Sequence, residues 1–437
     1  MSAQLKLIGL LLSAALLASC APGTKIGQGV TLPESPLLSA FERKSGLIAY
    51  VGADGNVYTV DQSGKDPTQL TTDAQLDQSQ PVRLYQYPVW SPDGESLAFH
   101  GFSGTDSSLH ASVYTVSKDG QNLVEAYGSD ANRPIYLSWS PDSKNLSFIT
   151  SVGNTNNLVL NMVPASGGQT TTLDVGGPYY WDWQPDSAGM FIHSGGSASQ
   201  NPGGARLSLL TVTDGVAEDG FNLSSAAFQS PEFSADGSQL LLAVEQDDKK
   251  KLVLTDRAGT VQSELATFDT AVAFGWSPDG QHIAYITDSG DGKYGITHGK
   301  LQFVEAGDTS KTIAVEADNV IAFFWSPDSK QVVYFVLHET TNDSGSPVFY
   351  LEMATANPVD GATKSIVPQF IPTREYLQTL AYFDQYARSS TIWSPDSQNI
   401  LLCVDTNSGA GVFVIPASGG IEPRFLQPGT MAFWSWR

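Results

Sequence analysis

Two acidic residues interrupt an otherwise uncharged pattern. Asp182 and Glu232 each stand directly before a large aromatic, Trp183 and Phe233, where comparable stretches carry Val89, Ser138, Gly275, Phe324 and Ile392. Two carboxylates on neighbouring strands can bind a cation or divide acid and base work between them. The same pair also reads as the solvated wall of a channel. Aromatic residues gather nearby. Tyr87, Tyr136 and Tyr180 each lie three residues before a recurring Trp, at 90, 139 and 183, with Tyr85, Tyr179 and Trp181 beside them. Aromatic faces with polar tips suit a sugar or a peptide, and they suit packing between neighbouring sheets as well. A third group fills 366–390: Arg374, Tyr376, Tyr382, Phe383, Asp384, Tyr386 and Arg388. So aromatic a stretch is unusual for a plain connecting loop. It reads as a lid or partner-binding element, or as packing over a sheet edge. The binding candidates are therefore Tyr87, Tyr136, Tyr180, Trp181, Asp182, Glu232, Tyr382 and Tyr386.

Other reactive residues point to no catalytic set. Asp93, Asp142, Asp186, Asp236, Asp279, Asp328 and Asp396 recur once per repeat at one turn, so they read as structural caps. His100 and His193 stand ten residues after their marker aromatics in repeats that are not adjacent, whereas a zinc site needs converging ligands. Asp288-Ser289-Gly290-Asp291-Gly292 lacks the alternating oxygen ligands and terminal Glu of an EF-hand loop. No Gly-x-Ser-x-Gly elbow occurs. No metal or cofactor is expected.

The elements that must position these residues follow from a repeat. The segment Phe274-Gly275-Trp276-Ser277-Pro278-Asp279-Gly280 reads as strand and tight turn, and His282-Ile283-Ala284-Tyr285-Ile286 as the returning strand. Pro presets φ in such a turn, and Asp bonds nearby backbone. Variants recur at Trp90, Trp139, Trp183, Phe233, Trp325 and Trp393, and the chain ends on Phe433-Trp434-Ser435-Trp436. The successive spacings are 49, 44, 50, 43, 49, 68 and 41 residues. A period in this range with four strands per repeat means propeller blades. Third-strand signals occur at 57–59, 113–115, 158–160, 207–209, 252–254, 302–304, 350–352 and 412–414. The expected fold is therefore an all-β, eight-bladed β-propeller of four-stranded antiparallel blades over 39–437. Seven blades is the alternative if one repeat is absorbed as an insertion. The first repeat lacks a good Trp-Ser-Pro-Asp turn, and the C-terminal strand has no blade after it. The C-terminal strand is expected to complete the first blade and close the ring, removing exposed sheet edges.

The Trp-Ser-Pro-Asp-Gly pattern resembles the TolB-type propeller repeat, a relative of WD repeats, over about residues 45–437. The resemblance implies a scaffold fold more than an activity. Propeller-capped peptidases that share the repeat carry a hydrolase domain with the Gly-x-Ser-x-Gly elbow, which this sequence lacks. TolB itself has an α/β domain ahead of the propeller, and residues 21–44 are too few to supply one.

The start of the chain reads as targeting. Lys6 precedes an apolar run at 7–18 that is short for a membrane span, and Leu17-Ala18-Ser19-Cys20 resembles a bacterial lipobox. Residues 1–19 are expected to be a lipoprotein signal peptide, with lipid on Cys20 and a flexible tether at 20–38. An ordinary secreted protein is the alternative. Cys403, on an apolar strand, reads as a small buried hydrophobe. The net charge of −22 argues against nucleic acid, whose phosphates need a basic footprint. The expected protein is extracytoplasmic, lipid-anchored to the cell or outer membrane, and serves as a protein- or peptide-binding scaffold. Carbohydrate binding or glycan chemistry at the aromatic and carboxylate mouth is the alternative.

Overall fold

The computed structural model describes residues 45–77, 81–105, 108–151, 157–213, 215–288 and 296–437. Cys20, the signal segment, the tether and most of the Asp288 loop lie outside them.

Antiparallel sheets follow one another along the chain. Val82–Trp90 pairs with Ser96–Thr105, which pairs with Ser108–Ser117, which pairs with Val124–Ser129. The strands from Pro134–Trp139 to Thr171–Gly176 repeat this order, as do those from Tyr179–Trp183 to Ala217–Gly220. The next repeat is irregular. Its first strand is split into Ser224–Ser225 and Glu232–Phe233, both paired to Gln239–Gln246. Two further four-strand units, starting at Val272–Trp276 and Val320–Trp325, touch through the bridge Gly299↔Val320. Chain ends meet in one sheet. Arg424–Trp434 pairs through its first half with Gly409–Pro416 and through its second half with Ile48–Gly52, from Gly52↔Gly429 to Ile48↔Trp434. All eight third-strand signals fall on strands.

The recurring turn explains much of this order. In the first copy the Ser91 hydroxyl donates to the Asp93 carboxylate (2.6 Å), the Gly94 amide donates to the Ser91 carbonyl (2.8 Å), and Asp93 also accepts from the Glu95 amide (3.0 Å). The residue after Asp needs a left-handed backbone, with φ of +72° at Gly94 and +70° at Gly280. Four copies place Ser there instead: Ser143, Ser187, Ser329 and Ser397, with φ of 59–62°. Each of these hydroxyls accepts the amide of the aspartate one repeat earlier, as in Asp279 N–H to Ser329 Oγ at 3.0 Å. The unusual backbone thus comes with a bond between neighbouring repeats.

The marker indoles make a second set of such bonds. Trp90, Trp139, Trp325 and Trp393 donate through Nε1 to the carbonyls of Phe433, Val89, Gly275 and Phe324, at 3.0–3.3 Å. Trp183 donates to the Ser147 hydroxyl at 2.9 Å. Phe233 has no indole, Trp276 Nε1 is buried without a partner, and Gly237 and Gly280 supply no hydroxyl. Both sets therefore fail on either side of the irregular repeat.

Between the strand Thr363–Phe370 and Trp393 the chain forms two helices, α1 (Arg374–Ala381) and α2 (Phe383–Tyr386). Because the strand runs through Phe370, the non-strand insertion is shorter than the stretch 366–390 expected from sequence. Pro372 precedes the cap, and Thr373 accepts the Tyr376 amide and donates to the Thr430 carbonyl. Tyr376, Thr379 and Leu380 are buried at helical spacing, while Arg374, Gln378 and Tyr382 face outward four residues apart.

Candidate functional site

The helical insertion lies on the first strands of several repeats at once, so the proposed mouth residues are met by the chain itself. The strand Val82–Trp90 shifts register between Gln86 and Val89, and Tyr87 there has a φ of +53°. This bulge aims Tyr87 at the insertion. Its ring stacks on Tyr386 (centroids 5.3 Å apart, 21°), and its hydroxyl donates to Gln378 Oε1 at 3.1 Å. Tyr136 meets Tyr386 edge-on at 5.1 Å and Trp181 at 5.0 Å. Its hydroxyl donates to the Gln385 carbonyl at 2.8 Å. Burial pushes the phenols of Tyr87 and Tyr136 up to about 12. Tyr180 is buried and stacks flat on Phe228 at 4.0 Å, and burial, then the Asp384 charge, holds its hydroxyl far above the ordinary range. On the far side of the insertion, Phe383 packs against Phe323 and Phe324.

Polar contacts fix the insertion more specifically. The Gln385 side-chain amide pairs with the main chain of Trp181: it accepts the Trp181 N–H at 3.3 Å and donates to the Trp181 carbonyl at 3.0 Å. An inner strand is thereby recognised as a partner strand would recognise it. Asp384 accepts the Ser230 amide at 3.2 Å. The Arg388 guanidinium, with a side chain 10% exposed, meets Glu232 Oε1 at 2.7 Å and donates from Nε to Ser230 Oγ at 3.1 Å. Arg388 Nη2 is buried with no hydrogen-bond partner.

Asp182 and Glu232 hold one another's surroundings in place. Asp182 Oδ2 accepts the Phe233 amide at 2.8 Å, and Glu232 Oε2 accepts the Trp276 amide at 2.8 Å. These bonds cross the two junctions where the indole and serine bonds fail. Glu232 thus pairs with Arg388 directly, and the charges of Asp182 and Asp384 act on the same arginine. Burial raises the carboxyls of Asp182 and Asp384 from their ordinary value, with Arg388 opposing. Burial lifts Glu232 to about 7, again against Arg388, with the Asp182 charge adding to the rise. For Arg388, burial disfavours the charge, but Glu232 and then Asp182 outweigh it.

Seven of the eight binding candidates are therefore gathered around the insertion. Tyr136, Tyr180 and Trp181 are buried, so they do not line an open mouth, and Asp182 and Glu232 do not form a solvated wall. The eighth, Tyr382, is 49% exposed on the outer side of the helices. Sequence reasoning missed Gln385 and Ser230, and it named Arg388 without its pairing to Glu232. The available signal was that two unpatterned carboxylates require a cation, and Arg388 lies in the one unpatterned segment.

His100 lies beside the site, its ring edge-on to Tyr87 at 6.0 Å. The His193 ring sits between the carbonyls of Gln229 (2.8 Å) and Gly196 (3.0 Å), and burial pushes His100 down to about 4. Among the described residues no group of three or more His, Cys, Asp or Glu side chains could hold a metal ion. No helix among them is long and apolar enough to cross a membrane.

No family model matches the chain, and no curated protein matches its sequence. Solved structures do resemble it. Dihydro-heme d1 dehydrogenase NirN is similar at 14% identity and a TM-score of 0.51, over 93% of this chain and 80% of that one. The β-propeller domain of the trilobed protease from Pyrococcus furiosus is similar at 13% identity and a TM-score of 0.47, over 80% of this chain and 99% of that one. TolB from Acinetobacter baumannii is similar at 19% identity and a TM-score of 0.38, over 63% of this chain and 65% of that one. The chain thus spans just under two thirds of TolB. The repeated four-stranded antiparallel sheets are those of a β-propeller, and the likeness to NirN, at 14% identity, bears on the fold alone.

Proposed function

We propose that this is an extracytoplasmic, lipid-anchored propeller that binds a protein or peptide segment at the mouth where the first strands of its repeats converge. The carrying observation is that this mouth already holds a polypeptide. Gln385 pairs with the main chain of Trp181, Tyr386 stacks on Tyr87, and Arg388 pairs with Glu232. These are the interactions by which a surface selects a peptide: backbone pairing for affinity, aromatic contact and charge for specificity. Anchoring through lipid on Cys20 rests on the Leu17-Ala18-Ser19-Cys20 pattern.

Eight blades are the count this reading takes, and the pairing of Arg424–Trp434 with both Gly409–Pro416 and Ile48–Gly52 supports closure of the ring by the C-terminal strand. The test is cross-linking and capture from solubilised envelope. A stoichiometric protein that cross-links to the face carrying α1 and α2 supports the reading. Glycan turnover that disappears in Asp182→Asn, with no protein captured, overturns it in favour of carbohydrate chemistry.

A further inference from the structure

We infer that Asp182 and Glu232 form a guanidinium-binding site, and that the insertion occupies it as an internal competitor for an arginine-bearing segment of the partner. The inference rests on the binding role proposed above and names its ligand chemistry.

The site is built by the sheets before the insertion contributes anything. Asp182 comes from the strand Tyr179–Trp183 and Glu232 from Glu232–Phe233, and each uses one oxygen to accept a main-chain amide of the next repeat. The other oxygen of Glu232 points at a guanidinium. Carboxylates whose amide bonds are already made are oriented, and an arginine fork matches such oxygens better than a lysine does. Burying them is costly without a cation, and a guanidinium is more weakly hydrated than an ammonium.

The insertion fills this site imperfectly. It delivers Arg388 so that only Glu232 and Ser230 meet the guanidinium at hydrogen-bond distance. Arg388 Nη2 also remains buried and unpaired, a cost of the kind native interiors avoid. A peptide arginine placed so that both ends of its guanidinium are paired would deliver the same cation without that cost. With the insertion displaced, Tyr87 and Tyr136, whose rings meet Tyr386 in this structure, supply aromatic faces for the rest of such a peptide. The strongly acidic chain, at −22, favours the approach of a cationic segment.

The test uses the full chain and two probes, acetyl-arginine amide and its uncharged isostere acetyl-citrulline amide. Arg388→Ala vacates the site. Calorimetry should then detect saturable uptake of the arginine probe. Uptake of the citrulline probe, or of the arginine probe by Arg388→Ala/Glu232→Gln, should be weaker by roughly thirtyfold or more, the loss for unpairing a buried charge. Equal uptake of both probes, or none, overturns the inference.

If Arg388→Ala does not fold, hydrogen exchange of the wild type decides. An arginine-bearing peptide should speed exchange across 374–388 while its citrulline form does not; identical exchange with both overturns it. The wider binding role fails separately. Capture of a partner that persists unchanged in Asp182→Asn and Glu232→Gln removes the arginine site and leaves that role standing.

Discussion

Replacing Glu232 with Gln isolates the energetics of the buried charge cluster. In the folded chain this carboxyl titrates near 7, against an ordinary 4.5, because burial disfavours its charged form more than Arg388 favours it. A carboxyl whose folded value is raised contributes stability that is complete below its unfolded value and is lost as pH rises through the folded one. The unfolded chain releases this proton first, so rising pH favours unfolding. Between about pH 5 and pH 8 the loss from Glu232 alone amounts to about 2.5 kcal/mol. Asp182 and Asp384 are raised as well and add loss of the same sign. Gln imitates the protonated side chain, so Glu232→Gln should resemble wild type near pH 5 and exceed it by about 2 kcal/mol near pH 8. Urea unfolding midpoints at several pH values read this difference. His110, raised by Asp130 and then Glu125, slopes the same way, and the lowered His100 and His193 slope oppositely. All three are common to both proteins and cancel in the comparison. A gap between the proteins that stays constant across this range, or one in which wild type gains on the variant with rising pH, refutes the reasoning.

Three other outcomes are expected. Trp276→Ala should cost about 3–5 kcal/mol of stability, as for aromatic truncation in a core, whereas Trp276→Phe should cost about 1 kcal/mol less than Trp325→Phe. The second comparison follows because Trp325 donates to the Gly275 carbonyl and Trp276 Nε1 has no partner; equal melting losses for the two Phe variants would contradict it. Deleting residues 431–437 should cause aggregation or a large loss of melting temperature, since it strips the strand paired to Ile48–Gly52. Deleting 21–36 should leave melting unchanged, and a C-terminal deletion that melts like wild type would refute closure by that strand. Mass spectrometry of the mature N-terminus should find diacylglycerol and acyl groups on Cys20, and Cys20→Ala should leave the membrane fraction; an unmodified cysteine there would refute the anchor.

Local chemistry made the fold legible. Ser-Pro-Asp with Gly or Ser after it dictates a turn within a few residues, and its repetition located the strands around it. The third-strand signals were equally local, because alternating apolar residues mark a strand wherever it pairs. Asp182 and Glu232 also stood out, being departures from a repeated pattern. Their environment was not legible. Gln385 reaches Trp181 across 204 positions and Arg388 reaches Ser230 across 158, and such docking leaves no spacing to read. Tyr87 illustrates the same limit. Its place before a marker Trp was visible, but its direction depends on a bulge in the pairing of Val82–Trp90 with Ser96–Thr105.

The bonds from Asp182 to Phe233 and from Glu232 to Trp276 have a mechanical consequence. At most other junctions an indole or a serine fastens one repeat to the next. On both sides of the irregular repeat they are missing, and the carboxylates beside Arg388 span the gaps instead. Occupancy of the mouth and stiffness of the ring are therefore linked at this one sector. A cation that draws the carboxylates inward changes the tension on two seams, and, by reciprocity, any force that parts those seams changes the affinity for the cation. Through these two seams the ring is tied to what lies in its centre.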